Sequence, residues 1–315
     1  MTIPEVSLSS CKKTMPVIGL GTSSDPTADT ETTKAAVIEA IKAGYRHFDT
    51  AFAYRSEQGV GEGIAEALKT GLIKCRDELF VTSKLWSSFA DKDMVVPAIQ
   101  MSLKNLQLEY LDLYLIHWPL KLSQNVRSLP TTEDNIFPLD IQSVWEGMGE
   151  CKTLGLTKAI GVSNFSRKKL EQLLSAAKIP PAVNQVEMNP VWQQKELRKF
   201  CKENGILITA YCPLGANGTK WGDNRIIECD VLEEIAKAKG KTTAQVSLRW
   251  VYEQGVSLVT KSFNKERMKQ NLEIFDWSLS EKESEKINQL PQRKGVLFVN
   301  LLGPHQFVRQ IDAEL

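Results

Sequence analysis

Gly44-Tyr45-Arg46-His47-Phe48-Asp49-Thr50-Ala51-Phe52-Ala53-Tyr54 decides how the rest of the chain is read. The glycine stops a helix over 31–43, whose Val37, Ile38 and Ile41 recur at helical spacing. Arg46–Asp49 then reads as a short strand ending in an aspartate, with a tyrosine five residues on. Two later segments repeat the arrangement. Val81-Thr82-Ser83-Lys84-Leu85-Trp86 carries a lysine at a strand end, and Leu113-Tyr114-Leu115-Ile116-His117-Trp118-Pro119 a histidine. A lone aspartate after a strand is ordinarily a turn or cap residue. A lone Lys, Tyr or His is ordinarily solvated or packed. Four such residues at the downstream ends of successive strands mean more, because in a closed strand–helix barrel those ends share the face where active sites are built.

The same alternation extends in both directions. Val6–Leu20 reads as two short strands around the polar turn Ser9–Lys13, with Pro16 at the entry of the second. Downstream, a helix over 58–71 stops at Gly71, a strand spans 79–84, and the next helix turns Val96, Ile99, Leu103 and Leu106 to one face. After the strand 113–117 comes a polar stretch of about twenty residues, read as a loop. Asp140 caps a helix ending at Gly155, and 158–162 is a strand. Ser166 caps a helix whose apolar face is Leu170, Leu173, Leu174 and Ala177.

The strand 183–187 precedes a helix with Leu197, Phe200 and Cys201 that stops at Asn204-Gly205. The strand 206–211, a loop around Trp221, helices over 230–239 and 243–254, and the strand 257–261 follow. Asn264 caps one more helix, and the capping box Ser280-x-x-Glu283 opens the last, which ends near Pro291. Eight strand segments thus follow the opening strand at 6–9, with no linker or repeat between them. They predict a single α/β domain over 1–315: a (β/α)8 TIM barrel with an N-terminal β-hairpin, long loops on the C-terminal face and a tail over 292–315. Gly19-Leu20-Gly21-Thr22-Ser23-Ser24 lacks the third glycine of the dinucleotide fingerprint GxGxxG, so a dinucleotide would be held by another route.

Composition narrows the function classes. Lys+Arg 39 against Asp+Glu 38 gives a net charge of +1, which argues against a nucleic-acid binder working through bulk charge. The 42% hydrophobic and 24% charged content fits an ordinary globular domain with a large core. Six scattered cysteines, with no CxxC pair and no His cluster, predict neither a metal site nor a disulfide framework. No signal peptide and no apolar run of membrane-spanning length is visible, so the expected compartment is the cytoplasm.

A tyrosine phenol, with a reference pKa of about 10, is a poor acid at neutral pH. An adjacent ammonium is expected to lower it, and an aspartate to keep that ammonium charged and oriented. Asp49, Tyr54, Lys84 and His117 can therefore protonate the alkoxide formed by hydride addition to a carbonyl, with His117 hydrogen-bonding the same oxygen. The hydride requires a cofactor. Ser163, Asn164 and Gln185 offer groups for a nicotinamide carboxamide, and Tyr211 a ring to stack on it. Lys261-Ser262-Phe263-Asn264, with Arg267, Gln270 and Asn271, surrounds a helix N-terminus suited to an anion. Alone, that last stretch reads more readily as a capped helix with a solvated basic face.

GYRHFDTAFAY, SKLW, LIHWP, IGVSNF, NQVEMNP, ITAYCPLG and KSFNKERMKQN, in this order, resemble the motifs of NADPH-dependent aldo-keto reductases along nearly the whole chain. DLYLIHWPLKLSQNVRSLP, LGANGTKWGDNRI and PQRKGVLFVNLLGPH are similar to the plant branch containing galacturonate, codeinone, methylecgonone and chalcone reductases. The resemblance implies Tyr54 as general acid, Asp49 and Lys84 as its tuning pair, and His117 as the carbonyl-orienting residue. It implies cofactor contacts from Gly21, Thr22, Asp49, Ser163, Asn164, Gln185, Tyr211, Cys212, Leu214 and Phe263. Lys261, Ser262, Asn264 and Arg267 would hold the adenosine 2′-phosphate, with Gln270 and Asn271 near the adenine.

Cys212 stands where most members have serine, Phe52 where alanine is usual, and Ser23-Ser24 where mammalian aldose reductases have tryptophan. The implied activity is reduction of a galacturonate-like sugar acid or a specialised-metabolite ketone by a monomer. Two alternatives stand beside it: a polyketide reductase working next to a chalcone-synthase-type partner, and a non-catalytic NADPH-binding regulatory subunit.

The expected substrate wall is Trp86, Trp118 and Trp221 with Ser23 and Phe52, closed by 120–138 and the tail. Barrel-mouth packing is the competing reading of Trp86. Lys121, Arg127 and His305 are candidate cations for an acidic sugar; the competing reading of Lys121 and Arg127 is solvated loop charge.

Overall fold

In chain order the strands are β1 (Glu5–Ser7), β2 (Thr14–Pro16), β3 (Ile18–Gly21), β4 (His47–Asp49), β5 (Phe80–Leu85) and β6 (Leu111–Ile116). They continue as β7 (Leu120–Leu122), β8 (Ile136–Pro138), β9 (Thr157–Ser163), β10 (Val183–Glu187), β11 (Leu207–Tyr211) and β12 (Ser257–Thr260). Eight of them close a parallel barrel in the order β10-β11-β12-β3-β4-β5-β6-β9. This computed structural model describes residues 3–9, 11, 13–127 and 132–296.

The helices that wrap the barrel are α1 (Thr30–Ala43), α2 (Glu57–Lys69), α3 (Lys92–Leu106), α4 (Ile141–Thr153) and α5 (Arg167–Leu174). They are followed by α6 (Lys195–Glu203), α7 (Asp230–Lys239), α8 (Thr243–Glu253), α9 (Lys265–Leu272) and α10 (Glu281–Asn288). Their ends obey the sequence. Gly44 terminates α1 at φ 112, a conformation with little cost only for glycine. Asp140, Ser166 and Asn264 accept the backbone N–H three residues on, and the Ser280–Glu283 box is complete.

Period-two alternation explains how the strands divide their side chains. Leu113 and Leu115 of β6 join Phe80, Ala159 and Val183 in an inner cluster, while Tyr114 and Ile116 join the large layer shared with the helices. Leu8 and Met15 from the β1–β2 hairpin belong to the inner cluster, so the hairpin plugs the barrel's N-terminal end. On β5 the alternation runs Phe80, Thr82, Lys84 inward, with Val81 and Leu85 in the outer layer and Ser83 bonded to Glu57 of α2 at 2.7 Å. The interior therefore changes from apolar at the plugged end to polar at the C-terminal face.

Two expectations differ from the structure. The polar stretch after β6, expected as loop, pairs Leu120–Leu122 with Ile136–Pro138 into an antiparallel β7–β8 hairpin. Its strands are short and interrupted by polar residues, which leaves too little alternation to detect. On α3 the buried position is Val95, with Val96 only half-buried. Adjacent β-branched residues can each satisfy a helical period, and packing against the neighbouring helix decides between them.

Candidate active site

β4, β5 and the turn after β6 bring the four strand-end residues together inside the barrel mouth. Lys84 is fully buried, and its ammonium donates to Asp49 Oδ1 at 2.6 Å and to the Thr50 carbonyl at 3.1 Å. It also lies 3.3 Å from the Tyr54 hydroxyl. On the other side of that hydroxyl, His117 Nε2 stands at 3.4 Å, its ring edge-on to Tyr54. A buried ammonium is tolerated only when paired. Burial acts against the Lys84 charge, yet the charge of Asp49 and the hydrogen bonds outweigh it and raise the lysine above its ordinary pKa.

His117 is held well below the usual histidine range by burial and by the Lys84 charge, so its ring is neutral. Its Nδ1 is buried without a partner among the described residues, which places the single ring proton on Nε2, facing Tyr54. Lys84 pulls the Tyr54 pKa down, as expected, but the net shift is upward. Burial of the phenol pushes its pKa up, aided by the Asp49 charge, and the opposing pull of Lys84 does not overcome them. Tyr54 is consequently a neutral phenol at physiological pH. Its oxygen faces two donors, Lys84 Nζ and His117 Nε2, so its own O–H is directed away from both, where a carbonyl oxygen can accept it.

Polar partners extend this centre to the expected cofactor residues. Gln185 Nε2 donates to Asp49 Oδ2 at 2.8 Å, and Ser163 Oγ donates to the Gln185 carbonyl at 2.9 Å. Asn164, at φ 64, donates to the His117 carbonyl at 3.0 Å and accepts from the Tyr211 hydroxyl at 2.7 Å. Ser163, Asn164, Gln185 and Tyr211 thus form one network with Asp49 and His117. Gly21 pairs with Asp49 across β3 and β4, and Thr22 bonds the Asp49 carbonyl at 3.1 Å. Thr22 also contacts Ser56, which bonds Thr50. Ser56 and Thr50 were missed from sequence, where small hydroxyl residues after a strand read only as turn formers. Cys212, at φ 48, and Leu214 are half-buried just beyond β11.

At the end of β12, Ser262 Oγ accepts from Asn264 N at 3.2 Å, and Asn264 caps α9 through Arg267 N at 3.0 Å. Partial burial and the neighbouring Arg267 charge lower the Lys261 pKa, while its ammonium lies over the Phe263 ring at 4.3 Å. Two mutually repelling cations at a capped helix N-terminus fit a phosphate. Gln270 is exposed, whereas Asn271 is buried against the Tyr45 hydroxyl and so has a packing role as well.

The substrate wall needs revision. Trp86 is only 2% exposed; its indole N–H donates to the Val126 carbonyl at 3.0 Å and its ring meets His117 edge-on. It buttresses His117 and does not line open space. Trp118 stacks on His117 at 5.4 Å, and Phe52 meets Phe89 edge-on at 5.2 Å. Ser23 and Trp221 are half-buried. Lys121 is not a free cation, since it pairs with Asp91 at 2.5 Å. Arg127 lies over the Phe89 ring at 5.1 Å and makes no ion pair among the described residues. His305 and the tail from 297 lie outside the described residues, as do 128–131 of the loop. Among the described residues no group of His, Cys, Asp or Glu is arranged to hold a metal ion, and no helix is long and apolar enough to cross a membrane.

A parallel eight-stranded barrel with a Tyr–Lys–Asp–His cluster at its C-terminal mouth defines an oxidoreductase class, and comparison with known proteins gives the family. Residues 17–292 match the Aldo/keto reductase family model, and the chain belongs to that family. It is 65% identical over 316 residues to "D-galacturonate reductase" of Fragaria ananassa, covering 99% of each chain. Against "NADPH-dependent codeinone reductase 1-4" of Papaver somniferum it is 56% identical over 304 residues, covering 96% of this chain and 94% of that one. Among solved structures, the Bombyx mori aldo-keto reductase in complex with NADP superposes with a TM-score of 0.85 at 36% identity, over 95% of this chain and 97% of that one.

Proposed function

We propose that this chain reduces a carbonyl with Tyr54 as proton donor, Lys84 and Asp49 holding that donor in place, and His117 as a neutral second donor to the carbonyl oxygen. The observation that carries the reading is the convergence of Lys84 Nζ at 3.3 Å and His117 Nε2 at 3.4 Å on the Tyr54 hydroxyl. NADPH supplies the hydride. As the carbonyl oxygen gains charge, His117 Nε2–H can swing its bond from the phenol to that oxygen while Tyr54 delivers its proton. Lys84 then stabilises the phenolate left behind. Tyr211, Asn164, Ser163 and Gln185 are assigned to the nicotinamide, with Gly21, Thr22, Cys212 and Leu214 beside it. Lys261, Ser262, Asn264 and Arg267 are assigned to the 2′-phosphate, with Phe263 flanking it and Gln270 and Asn271 toward the adenine. The enzyme acts as a cytosolic monomer of one domain.

For the substrate we favour an aldehyde bearing a carboxylate, of the galacturonate kind, over a bulky specialised-metabolite ketone. Arg127 supports this reading: it is a cation with no carboxylate partner among the described residues, resting over Phe89, which packs on Phe52, two residues before Tyr54. The strong overall identity to a protein named for D-galacturonate agrees with it. The test follows NADPH oxidation against galacturonate, a neutral aldehyde, a cyclic alkaloid ketone and a steroid ketone. Preference for galacturonate supports the reading, and preference for either ketone overturns the substrate assignment. NADPH binding without turnover of any substrate, with or without an added polyketide synthase, overturns the catalytic one.

A further inference from the structure

Ser56 stands at the N-cap position of α2, where a serine ordinarily accepts a backbone N–H from the first turn of the helix. Its side chain makes no such bond. It is 4% exposed and turns inward, with Oγ 2.9 Å from Thr50 Oγ1 and 2.8 Å from Thr22 Oγ1, both buried as well. Thr22 Oγ1 in turn donates to the Asp49 carbonyl at 3.1 Å. Each of the three hydroxyls carries one proton, and a carbonyl can only accept. The order that gives every proton an acceptor among the described residues therefore runs from Thr50 to Ser56, to Thr22, to the Asp49 carbonyl.

This chain of hydroxyls fastens two things at once. The first is the turn that carries the proton donor. Thr50 and Ser56 stand at its two ends, and Tyr54 closes the 3-10 turn Phe52–Tyr54 between them. Arg55, next to Ser56, holds a left-handed φ of 57, a conformation that persists in a residue with a side chain only where its surroundings enforce it. The second is the peptide between Asp49 and Thr50. Its carbonyl accepts from Thr22 N at 3.0 Å as well as from the Thr22 hydroxyl, and its N–H donates to the Thr82 carbonyl at 2.9 Å. Two acceptors of the Lys84 ammonium flank that peptide, Asp49 Oδ1 at 2.6 Å and the Thr50 carbonyl at 3.1 Å. Ser56 thus ties the support of the phenol to the support of the ammonium 3.3 Å from it.

We propose that Ser56 is a positioning residue for the proton transfer: its hydroxyl closes the turn that carries Tyr54 and, through Thr22, fixes the Asp49–Thr50 peptide on which the Lys84 ammonium rests. The proposal rests on the carbonyl-reductase reading above. Ser56→Ala removes both bonds, and Thr50→Val removes the donor to Ser56 with little change of shape. Each variant is assayed for kcat and KM on a small neutral aldehyde, for NADPH affinity by fluorescence, and for the pH dependence of alcohol oxidation. The expected result in either is a fall in kcat of about tenfold, the scale of one hydrogen bond, with KM and NADPH affinity retained. The double variant should fall little further, because both changes break one chain. In the oxidation direction Tyr54 must first lose its proton, which the Lys84 charge favours. With Lys84 less well placed, the acid limb of that profile should move to higher pH in both variants. Wild-type kcat in both single variants overturns the proposal, as do effects that multiply in the double. A parallel fall of kcat/KM and NADPH affinity overturns it too, since general loosening would do the same. Undiminished reduction in Tyr54→Phe would overturn the acid assignment and this proposal with it. Loss of reduction in Tyr54→Phe beside wild-type kcat in both hydroxyl variants would overturn this proposal alone.

Discussion

Gln185 and Asp49 meet across the barrel, Nε2 to Oδ2 at 2.8 Å, from strands β10 and β4 on opposite sides of the closed ring. With Lys84 on Oδ1, both oxygens of the Asp49 carboxylate are occupied. A residue assigned to the cofactor thereby also holds the aspartate that orients the lysine.

Gln185→Leu is therefore expected to strand Asp49 Oδ2 in a buried site. The penalty of an unsatisfied buried acceptor is about 1–3 kcal/mol, read as a lower urea midpoint. NADPH affinity should fall with it, because the same amide is the one assigned above to the nicotinamide. Wild-type stability in this variant would show that the cross-barrel bond contributes nothing.

Tyr54→Phe removes the proton and leaves the ring. Reduction should drop by about 10²–10⁴, while NADPH quenching of tryptophan fluorescence titrates almost as in wild type. Appreciable residual reduction would mean that another group supplies the proton.

Two buried histidines tie stability to pH. Burial lowers the pKa of both His47 and His117. His47 sits between the Pro16 carbonyl and Thr82 Oγ1, and His117 between Tyr54 and Trp118. In the unfolded chain each takes up a proton as pH falls through about 6.5, whereas the folded chain resists until lower pH. The unfolded state then binds more protons, so the histidine contribution is complete above about pH 6.5 and is lost as pH falls, at up to about 1.4 kcal/mol per unit for each ring. Urea midpoints measured from pH 7.5 to 5.5 should decline, and more shallowly in His47→Gln. Equal slopes in the two proteins would remove His47 from the account.

Much of this molecule is legible in its sequence because local signals and packing agree. Gly44, Asp140, Ser166, Asn264 and the Ser280–Glu283 pair mark helix ends that the structure keeps. Asp49, Lys84 and His117 are recognisable because each ends a short apolar strand in a fold whose strand ends share a face. What stays hidden depends on distance in space. Lys121 reads as solvated until Asp91 is placed beside it, and Trp86 as a wall until Val126 covers it. Glu187 lies two residues past Gln185, on the same alternation, yet besides the nearby Asn189 amide its partners are the backbone N–H groups of Gly295 and Val296, more than a hundred residues away. Backbone donors leave no mark in a sequence.

Partial burial and the neighbouring Arg267 charge both lower the Lys261 pKa, so the two cations repel one another. An anion between them would relieve that repulsion and gain the Asn264-capped helix terminus as well. Lys261→Ala or Arg267→Ala should weaken NADPH by at least tenfold, roughly the worth of one charge-assisted hydrogen bond, and leave NADH nearly unaffected. Equal losses for both cofactors would place these cations elsewhere along the dinucleotide.

Arg127 offers the sharpest test of substrate chemistry. Lys121 is neutralised by Asp91, whereas the Arg127 guanidinium rests on Phe89 and Phe89 on Phe52. This aromatic ladder holds the cation in one orientation and reduces the entropy lost on taking a carboxylate. Because the site is exposed and screened by salt, a modest gain is expected, on the order of 1 kcal/mol or a little more. Arg127→Ala should raise KM for galacturonate by roughly five- to tenfold, leave kcat close to wild type and leave glyceraldehyde unchanged. Arg127→Lys should recover only part of the loss, since an ammonium lacks the planar fork that grips both carboxylate oxygens. Adding salt should narrow the gap between wild type and Arg127→Ala for galacturonate alone. Parallel changes for charged and neutral substrates would show that Arg127 supports the loop and does not read the acid.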